Sequence, residues 1–248
     1  MAPRTEDTAR FYDALSGGRV KRGLWGVESR FDPVKIIDSP SVDRHFRRVV
    51  GSFVSKKDRV LDVGCGPGGF TAVLAELAQS VVGLDVSQAW VETCTRTFSD
   101  RGLTEARAVL GSSTNLPFPD ASFEVATLID VIHHLDDPEA ALREIARVLV
   151  PGGRLLVFEP NKWNPVLTLL CVFDRNEWGF LARAMGTIPN YRRLLGSLFR
   201  VDVARYSGLL IGPDGPTARL IAEELTEGPA KGWLGWLGPK IFLAATKR

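Results

Sequence analysis

Between residues 58 and 160 the chain alternates short apolar runs with helical patterns, and that alternation restricts the fold more than any other feature. RVLDVG (59–64), SVVGLDV (80–86), ARAVLG (106–111), FEVATLIDVI (123–132) and RLLVFEP (154–160) read as strands. FTAVLAELAQ (70–79) places Phe70, Val73, Leu74 and Leu77 on one helical face. SQAWVETCTRTFSDRG (87–102) reads as a helix with Ser87 as N-cap and Gly102 as its stop signal. DPEAALREIARVL (137–149) has Pro138 in its first turn, with Leu142, Ile145 and Leu149 sharing a face, and PGG (151–153) closes it. Strands separated by helices imply a parallel sheet covered on both faces, with ligands beyond the carboxyl ends of the strands. Gly64 to Gly69, Asp85, Ser112 and Asp130 all fall at such ends.

The flanks carry weaker signals. Residues 1–57 read as a polar, mostly helical cap, and 161–188 as an aromatic lid insertion. Residues 189–248 supply one more helix, NYRRLLGSLF (190–199), and two final strands, RVDVARYSGLLI (200–211) and KIFLAATKR (240–248). The expectation is one domain of 248 residues: cap, core over 58–160, lid, and C-terminal helix and strands. The net charge of +2 gives no global case for nucleic acid or an anionic membrane, although Arg19, Lys21, Arg22, Arg44, Arg47 and Arg48 form local basic groups. Cys65, Cys94 and Cys171 show no metal-like spacing, and their sparse, odd number suggests a reducing compartment. The N-terminus lacks the apolar core of a signal peptide, and the apolar run Trp163 to Phe173 is shorter than the roughly 20 residues that a membrane helix needs. A cytoplasmic protein is expected.

The turn GCGPGG (64–69) allows positive φ and a close ligand approach at a helix N-terminus. It matches the dinucleotide fingerprint GxGxxG, with Asp85 near the expected distance of about 20 residues. Two residues argue against a pyrophosphate. Asp62 puts a carboxylate just before the turn, and Pro67 removes an N–H from it. A cationic ligand fits such a site better, and the two oxygens of Asp85 match the two vicinal hydroxyls of a ribose.

These residues resemble motif I of the class I S-adenosylmethionine-dependent methyltransferases. The resemblance continues in order through GLDVS (83–87), LPFPDASFEVATLIDVIHHLDDP (116–138) and ARVLVPGGRLLVFEP (146–160). It implies a three-layer, Rossmann-like α/β fold whose seven-stranded sheet is parallel except for the last strand. It also implies S-adenosylmethionine as cofactor, with S-adenosylhomocysteine as product. Gly64, Cys65 and Gly66 would line the methionine end with Asp62 nearby, and Asp85 and Val86 would hold the ribose. Gly111-Ser112-Ser113 stands where the family often has Gly-Asp-Ala, with the Asp near the adenine amine, so Ser112 takes that place as a hydrogen-bond acceptor, and Ile129 and Asp130 would close the site near the methionine.

A methyl acceptor that must lose a proton calls for a base, and histidine suits that task. Of His45, His133 and His134, the last two follow the fourth strand, and His133 is the candidate base. The alternative is that the pair only builds a turn. No metal is expected, because the DDP run (136–138) reads more simply as a helix N-cap and first turn. Cys65 reads as a small turn residue rather than a nucleophile, and Trp233 and Trp236 as packing residues. Tyr12, Trp25, Phe31 and the stretch Trp163 to Trp178 point to a lipophilic or aromatic small-molecule acceptor, and EPNKWN (159–164) could reach it from the rim. GWLGWLGP (232–239) and NYRRLLGSLFR (190–200) allow a peripheral membrane contact. The absence of an NPPY-type motif speaks against a nucleic-acid substrate. The favoured expectation is methyl transfer to such a molecule, with oxygen ahead of nitrogen or carbon. The alternatives are a non-catalytic binder of the same cofactor and an NAD-dependent oxidoreductase.

Overall fold

The computed structural model describes residues 9–10, 13–14, 40–165, 168, 186–209, 221, 224 and 231–248. The basic group at 19–22, the aromatic residues Tyr12, Trp25 and Phe31, Cys171, Trp178 and most of the expected lid lie outside these described residues.

Seven strands form one sheet in the order β3-β2-β1-β4-β5-β7-β6. They are β1 (Arg59–Val63), β2 (Ser80–Asp85), β3 (Ala106–Leu110), β4 (Phe123–Ile129), β5 (Leu149–Pro160), β6 (Phe199–Ser207) and β7 (Lys240–Lys247). The pairs among β1 to β5 are parallel, whereas β7 runs antiparallel to both β5 and β6. The order reverses at β1, between β2 and β4, which opens a crevice at their carboxyl ends. The helices are α1 (Pro40–Val50), α2 (Gly69–Leu77), α3 (Gln88–Asp100), α4 (Pro138–Val148) and α5 (Ile188–Leu195), with a short α6 (Lys231–Leu234).

The period-2 alternation of the strands divides the core into two layers. Leu61, Val63, Leu128, Leu155 and Val157 face the side that holds Leu142 and Ile145 of α4 and Tyr191 and Leu195 of α5. Val60, Val125, Leu156 and Phe158 face the side that holds Phe46 and Val49 of α1 and Val73 and Leu74 of α2. Phe46 meets Phe70 and Phe158 at ring-centroid distances of 4.6 and 5.5 Å, which seats α1 on the sheet. His45 of the same helix is buried and its Nε2 lies 2.9 Å from Ser207 Oγ.

Local signals act as their chemistry requires. The side chain of Ser87 accepts from Trp90 N, and that of Asp137 from Ala140 N with Pro138 next in line. Gly102 takes φ 65° just after α3. PGG does not close α4 as a separate turn: β5 begins at Leu149 and runs through it, with a register shift opposite Phe123 and Val125. None of the described helices is long and apolar enough to cross a membrane.

Candidate functional site

The alternation that packs Val60 and Val125 against α2 also sends Asp62 and Thr127 to that face, and the two are direct cross-strand partners. Asp62 is buried and accepts from Thr127 Oγ1 at 2.5 Å and from Thr71 Oγ1 of α2 at 2.6 Å. Burial pushes its carboxyl up, and the two hydroxyls oppose that shift. Asp62 therefore ties β1, β4 and α2 together beneath the turn. The sequence reading has Asp62 near the methionine end of the ligand, anchoring a cation directly or through water, and the structure places it buried under that turn.

Above it the turn uses three left-handed glycines, Gly64, Gly66 and Gly68, at φ 77°, 51° and 86°. Gly64 N and Cys65 N both donate to Leu84 O, at 2.7 and 3.1 Å, which locks the turn to β2. A Cβ on Gly64 would lie 2.5 Å from Val131 Cγ2, so the turn touches the segment after β4. A Cβ on Gly68 would lie 2.5 Å from Cys94 Sγ, which explains the glycine by the approach of α3. Gly66 differs, because a Cβ there would meet nothing within 4 Å. Its open side is room beside exposed backbone, which a bound group can fill. Contact with Cys94 and burial push the Cys65 thiol well up, consistent with a packing role and not with nucleophilic chemistry.

Asp85 ends β2 beside this opening. Its Oδ2 accepts from Gly66 N and its Oδ1 from Ser87 N, both at 2.9 Å. Burial pushes its carboxyl up while these N–H groups oppose the shift. Each oxygen keeps acceptor capacity beyond one N–H, so the carboxylate can brace the turn and still take a hydroxyl. Val86 follows it. Gly111 N donates to Asp85 O at 2.9 Å, which brings the β3 loop alongside, with Ser112 half-buried and Ser113 buried. Ser112 Oγ lies 2.9 Å from Thr114 Oγ1. Asp13, from the N-terminal segment, accepts from Ser87 Oγ and Ala89 N at the start of α3.

The other flank is built on β4 and β5. Ile129 is buried, and Asp130 adopts φ 57° with its N–H donating to Phe158 O at 2.8 Å. Asp is among the few residues that tolerate that conformation. Its Oδ1 pairs with Nζ of Lys240, a buried lysine at the start of β7. Glu159 of β5 is fully buried. Its Oε1 accepts from Val131 N and Ile132 N at 2.8 and 2.7 Å, and its Oε2 lies 2.6 Å from His133 Nδ1 and 3.3 Å from Tyr191 OH, the donor there. Burial pushes His133 down to about 3, with Asp130 opposing the shift and Lys240 adding to it. The ring of His134 meets it at a tilt of 48°, with centroids 3.9 Å apart.

The structure thus brings the turn, Asp85, the β3 loop and the segment after β4 onto one rim. Sequence reasoning did not find the parts played by Thr71, Thr127, Lys240 and Tyr191. Glu159 and Asn161 belong to the stretch 159–164, which the sequence allowed to reach an acceptor. Instead Glu159 lies under the rim, and buried Asn161 donates from Nδ2 to Trp236 O and Gly238 O at 2.6 and 2.8 Å. That brace, with Asn164, fixes the segment before β7. Trp233 and Trp236, read from the sequence as core or surface packing, are 73% and 45% exposed, and Trp163 is 54% exposed. All three flank the end of β5 and the start of β7, which is the same rim. Among the described residues no group of three or more His, Cys, Asp or Glu is arranged to hold a metal ion.

Comparison with known proteins agrees with this geometry. Residues 61–157 match the family model described as a methyltransferase domain. The ubiquinone/menaquinone biosynthesis C-methyltransferase UbiE of Azotobacter vinelandii is 30% identical over 210 residues, covering 79% of this chain and 83% of that protein. The O-methyltransferase cnsE of Penicillium expansum is 32% identical over 180 residues, covering 66% of this chain and 64% of that one. Two other curated relatives are matched over less than half of their own length. A crystal structure of a SAM-dependent methyltransferase from Aquifex aeolicus shares the fold, with a TM-score of 0.59, 19% identity, and coverage of 88% of this chain and 98% of that one. With the sheet order, the motif-bearing rim and the match to UbiE over most of both chains, this chain belongs to the class I S-adenosylmethionine-dependent methyltransferases.

Proposed function

We propose that this enzyme transfers a methyl group to a hydroxyl oxygen of a lipophilic or aromatic small molecule. The cofactor supplies the methyl group on a sulfonium, a carbon already activated for displacement. What remains for the chain is to hold both partners, exclude water and take a proton. On this reading Gly64, Cys65 and Gly66 line the methionine end, with Asp62 bracing them from below. Asp85 and Val86 take the ribose, Ser112 and Ser113 the adenine side, and Ile129 and Asp130 close the methionine side. The open flank of Gly66 and the spare acceptor capacity of Asp85 support that fit.

The observation that carries the acceptor reading is His133, which follows β4 and whose Nδ1 lies 2.6 Å from the buried carboxylate of Glu159. A hydroxyl acceptor needs a base there, whereas a tertiary amine or a thioether would not. The exposed Trp163, Trp233 and Trp236 on the same rim suit a lipophilic arrival, and the small net charge offers nothing to a nucleic acid. The relatives are named for transfer to carbon and to oxygen, and an ionising hydroxyl serves either outcome.

The test is incubation with methyl-deuterated S-adenosylmethionine and matched naphthols, their amino analogues and their methyl ethers. The expected result is a deuterated O-methyl group on the naphthols and none on the ethers. Transfer only to the amines, or equal transfer to ring carbon in the absence of a hydroxyl, overturns the reading.

A further inference from the structure

We propose that the face carrying Trp163, Trp233 and Trp236 docks on an anionic lipid bilayer. Docking sets the rim against the membrane as the source of its acceptor, and that second step rests on the proposed lipophilic substrate. All three tryptophans are exposed, whereas Trp90, the other described tryptophan, is half-buried. One exposed apolar residue needs no explanation. Three large rings gathered at one end of the sheet do. Hydrogen bonds join the segments that carry them. Asn161 N donates to Pro239 O at 3.0 Å, its Nδ2 donates to Trp236 O and Gly238 O, and Asn164 Nδ2 donates to Leu237 O. On the other side Lys162 N donates to Gly186 O at 3.4 Å, just before α5. The rings are thus mounted on a surface braced by a fully buried asparagine, and docking does not have to order it first.

The chemistry of these segments selects the occupant. Residues 161–165, 186–193 and 231–239 include Lys162, Arg192, Arg193 and Lys231 and no Asp or Glu. Lys162, Arg192 and Arg193 are exposed. Lys240, next in line, is spent on Asp130. Four cations stand here in a chain whose net charge is only +2, so the balance is concentrated at this end. Such a face repels a second copy of itself across a two-fold axis. It is drawn to the negative surface of a membrane. Tryptophan is the side chain that favours the boundary between headgroups and acyl chains. Trp236 Nε1 already donates to Trp233 O at 3.1 Å, so its ring enters an apolar layer without stranding that donor. Leu234 and Leu237, both half-buried, lie in the same stretch. Leucine adds nothing to the stacking of nucleic-acid bases, whereas it suits acyl chains.

The contact is peripheral, because none of the described helices is long and apolar enough to cross a bilayer. Its place in the fold gives it a use. Residues 161–164 leave the end of β5 and residues 231–239 lead into β7, where Lys240 pairs with Asp130 at the end of β4. A molecule that dissolves in acyl chains then reaches the rim from the membrane surface, without first exposing its apolar area to water.

The test is co-sedimentation of the full chain with sucrose-loaded vesicles, in the absence of cofactor and acceptor. The vesicles are phosphatidylcholine alone, or phosphatidylcholine with about one third phosphatidylglycerol. The wild type is expected to bind the anionic vesicles at least about tenfold more tightly than the neutral ones, and to be released by high salt. Trp163→Ser, Trp233→Ser and Trp236→Ser combined should weaken binding at least about tenfold. Calorimetric affinity of that variant for S-adenosylhomocysteine should stay within about threefold of wild type, which shows that it is folded. Lys162→Glu is a milder, independent variant, expected to weaken anionic-vesicle binding about fivefold or more. A wild type that sediments with neither vesicle, or equal binding of the wild type and both variants, overturns the proposal. So does binding of a single-stranded oligonucleotide in place of vesicles, or a dimer that the triple substitution splits while vesicles are ignored. Methylation of soluble naphthols is read separately. Turnover without vesicle binding removes the membrane and keeps the acceptor reading, whereas vesicle binding without turnover of any naphthol upholds the docking and removes the acceptor reading.

Discussion

At the scale of single residues, the two turn glycines that look alike in the sequence have different reasons to be glycine. Gly64 has φ 77° and Val131 Cγ2 2.5 Å from any Cβ. Gly66 has φ 51° and open space. Alanine costs roughly 1–2 kcal/mol for the left-handed backbone at either site, and at Gly64 the collision adds overpacking of about 1–3 kcal/mol. Gly64→Ala is therefore expected to lower the melting temperature clearly more than Gly66→Ala. Gly66→Ala is expected to weaken S-adenosylhomocysteine at least tenfold, because its methyl enters the space assigned to the ligand. Thermal melts and calorimetry on both variants check this, and equal affinities for wild type and Gly66→Ala would remove Gly66 from the cofactor site. The spacing of glycines and acids was readable because it follows the chain. What each acid bonds was not. Asp62 depends on Thr127, its partner across a neighbouring strand, and Lys240 reaches Asp130 across 110 positions. A single charged residue closing an apolar run, as in VFEP or before IFLAAT, was the available signal for Glu159 and Lys240. It says that a partner exists without saying which.

At the scale of elements, the turn Ile132–His134 after β4 is held by β5 through Glu159, and burial there has a pH signature. His133 sits at about 3 in the folded chain against 6.5 when free. Between those values the unfolded chain binds a proton that the folded one refuses. The stability contributed by burying His133 in neutral form is thus complete above about pH 6.5 and lost as pH falls toward 3. The stability of the wild type relative to His133→Asn should fall by up to about 1.4 kcal/mol per pH unit below 6.5. Urea unfolding of both proteins at pH 7.5, 6 and 5 measures the difference, in which the opposite trends of buried Asp62 and Asp85 cancel, while Glu159, which burial also pushes up and which bonds the ring, opposes the fall. A difference independent of pH would mean that the ring is solvated or already charged. The elements themselves were legible, since caps such as Ser87 and Asp137 act within three residues. The boundary at PGG was not, because pairing with β4 draws those residues into β5.

At the scale of the whole molecule, the crevice exists because the strand order reverses at β1, and its walls come from segments distant in sequence. Leu84 O receives the turn, Asp85 O receives the β3 loop, and Val131 packs on Gly64. A ligand that spans this crevice stabilises the fold by mass action, about 2.7 kcal/mol at one hundred times its Kd. For a chain of this size each kcal/mol is worth about 2–4 °C. Saturating S-adenosylhomocysteine should therefore raise the melting temperature by about 5–10 °C. Asp85→Ala should lose most of that rise through two effects. It removes the proposed ribose acceptor, and it leaves Gly66 N and Ser87 N without the carboxylate that binds them. Asp85→Asn separates the effects: its amide oxygen can replace only one of the two acceptors, so an intermediate shift is expected. NADH should give no shift, since the turn carries Pro67 where a pyrophosphate needs an N–H and stands over the carboxylate of Asp62. Melts with each ligand on the three proteins decide the matter. A full S-adenosylhomocysteine shift in Asp85→Ala would leave the β2 carboxylate as a brace for the turn and move ribose recognition elsewhere on the rim.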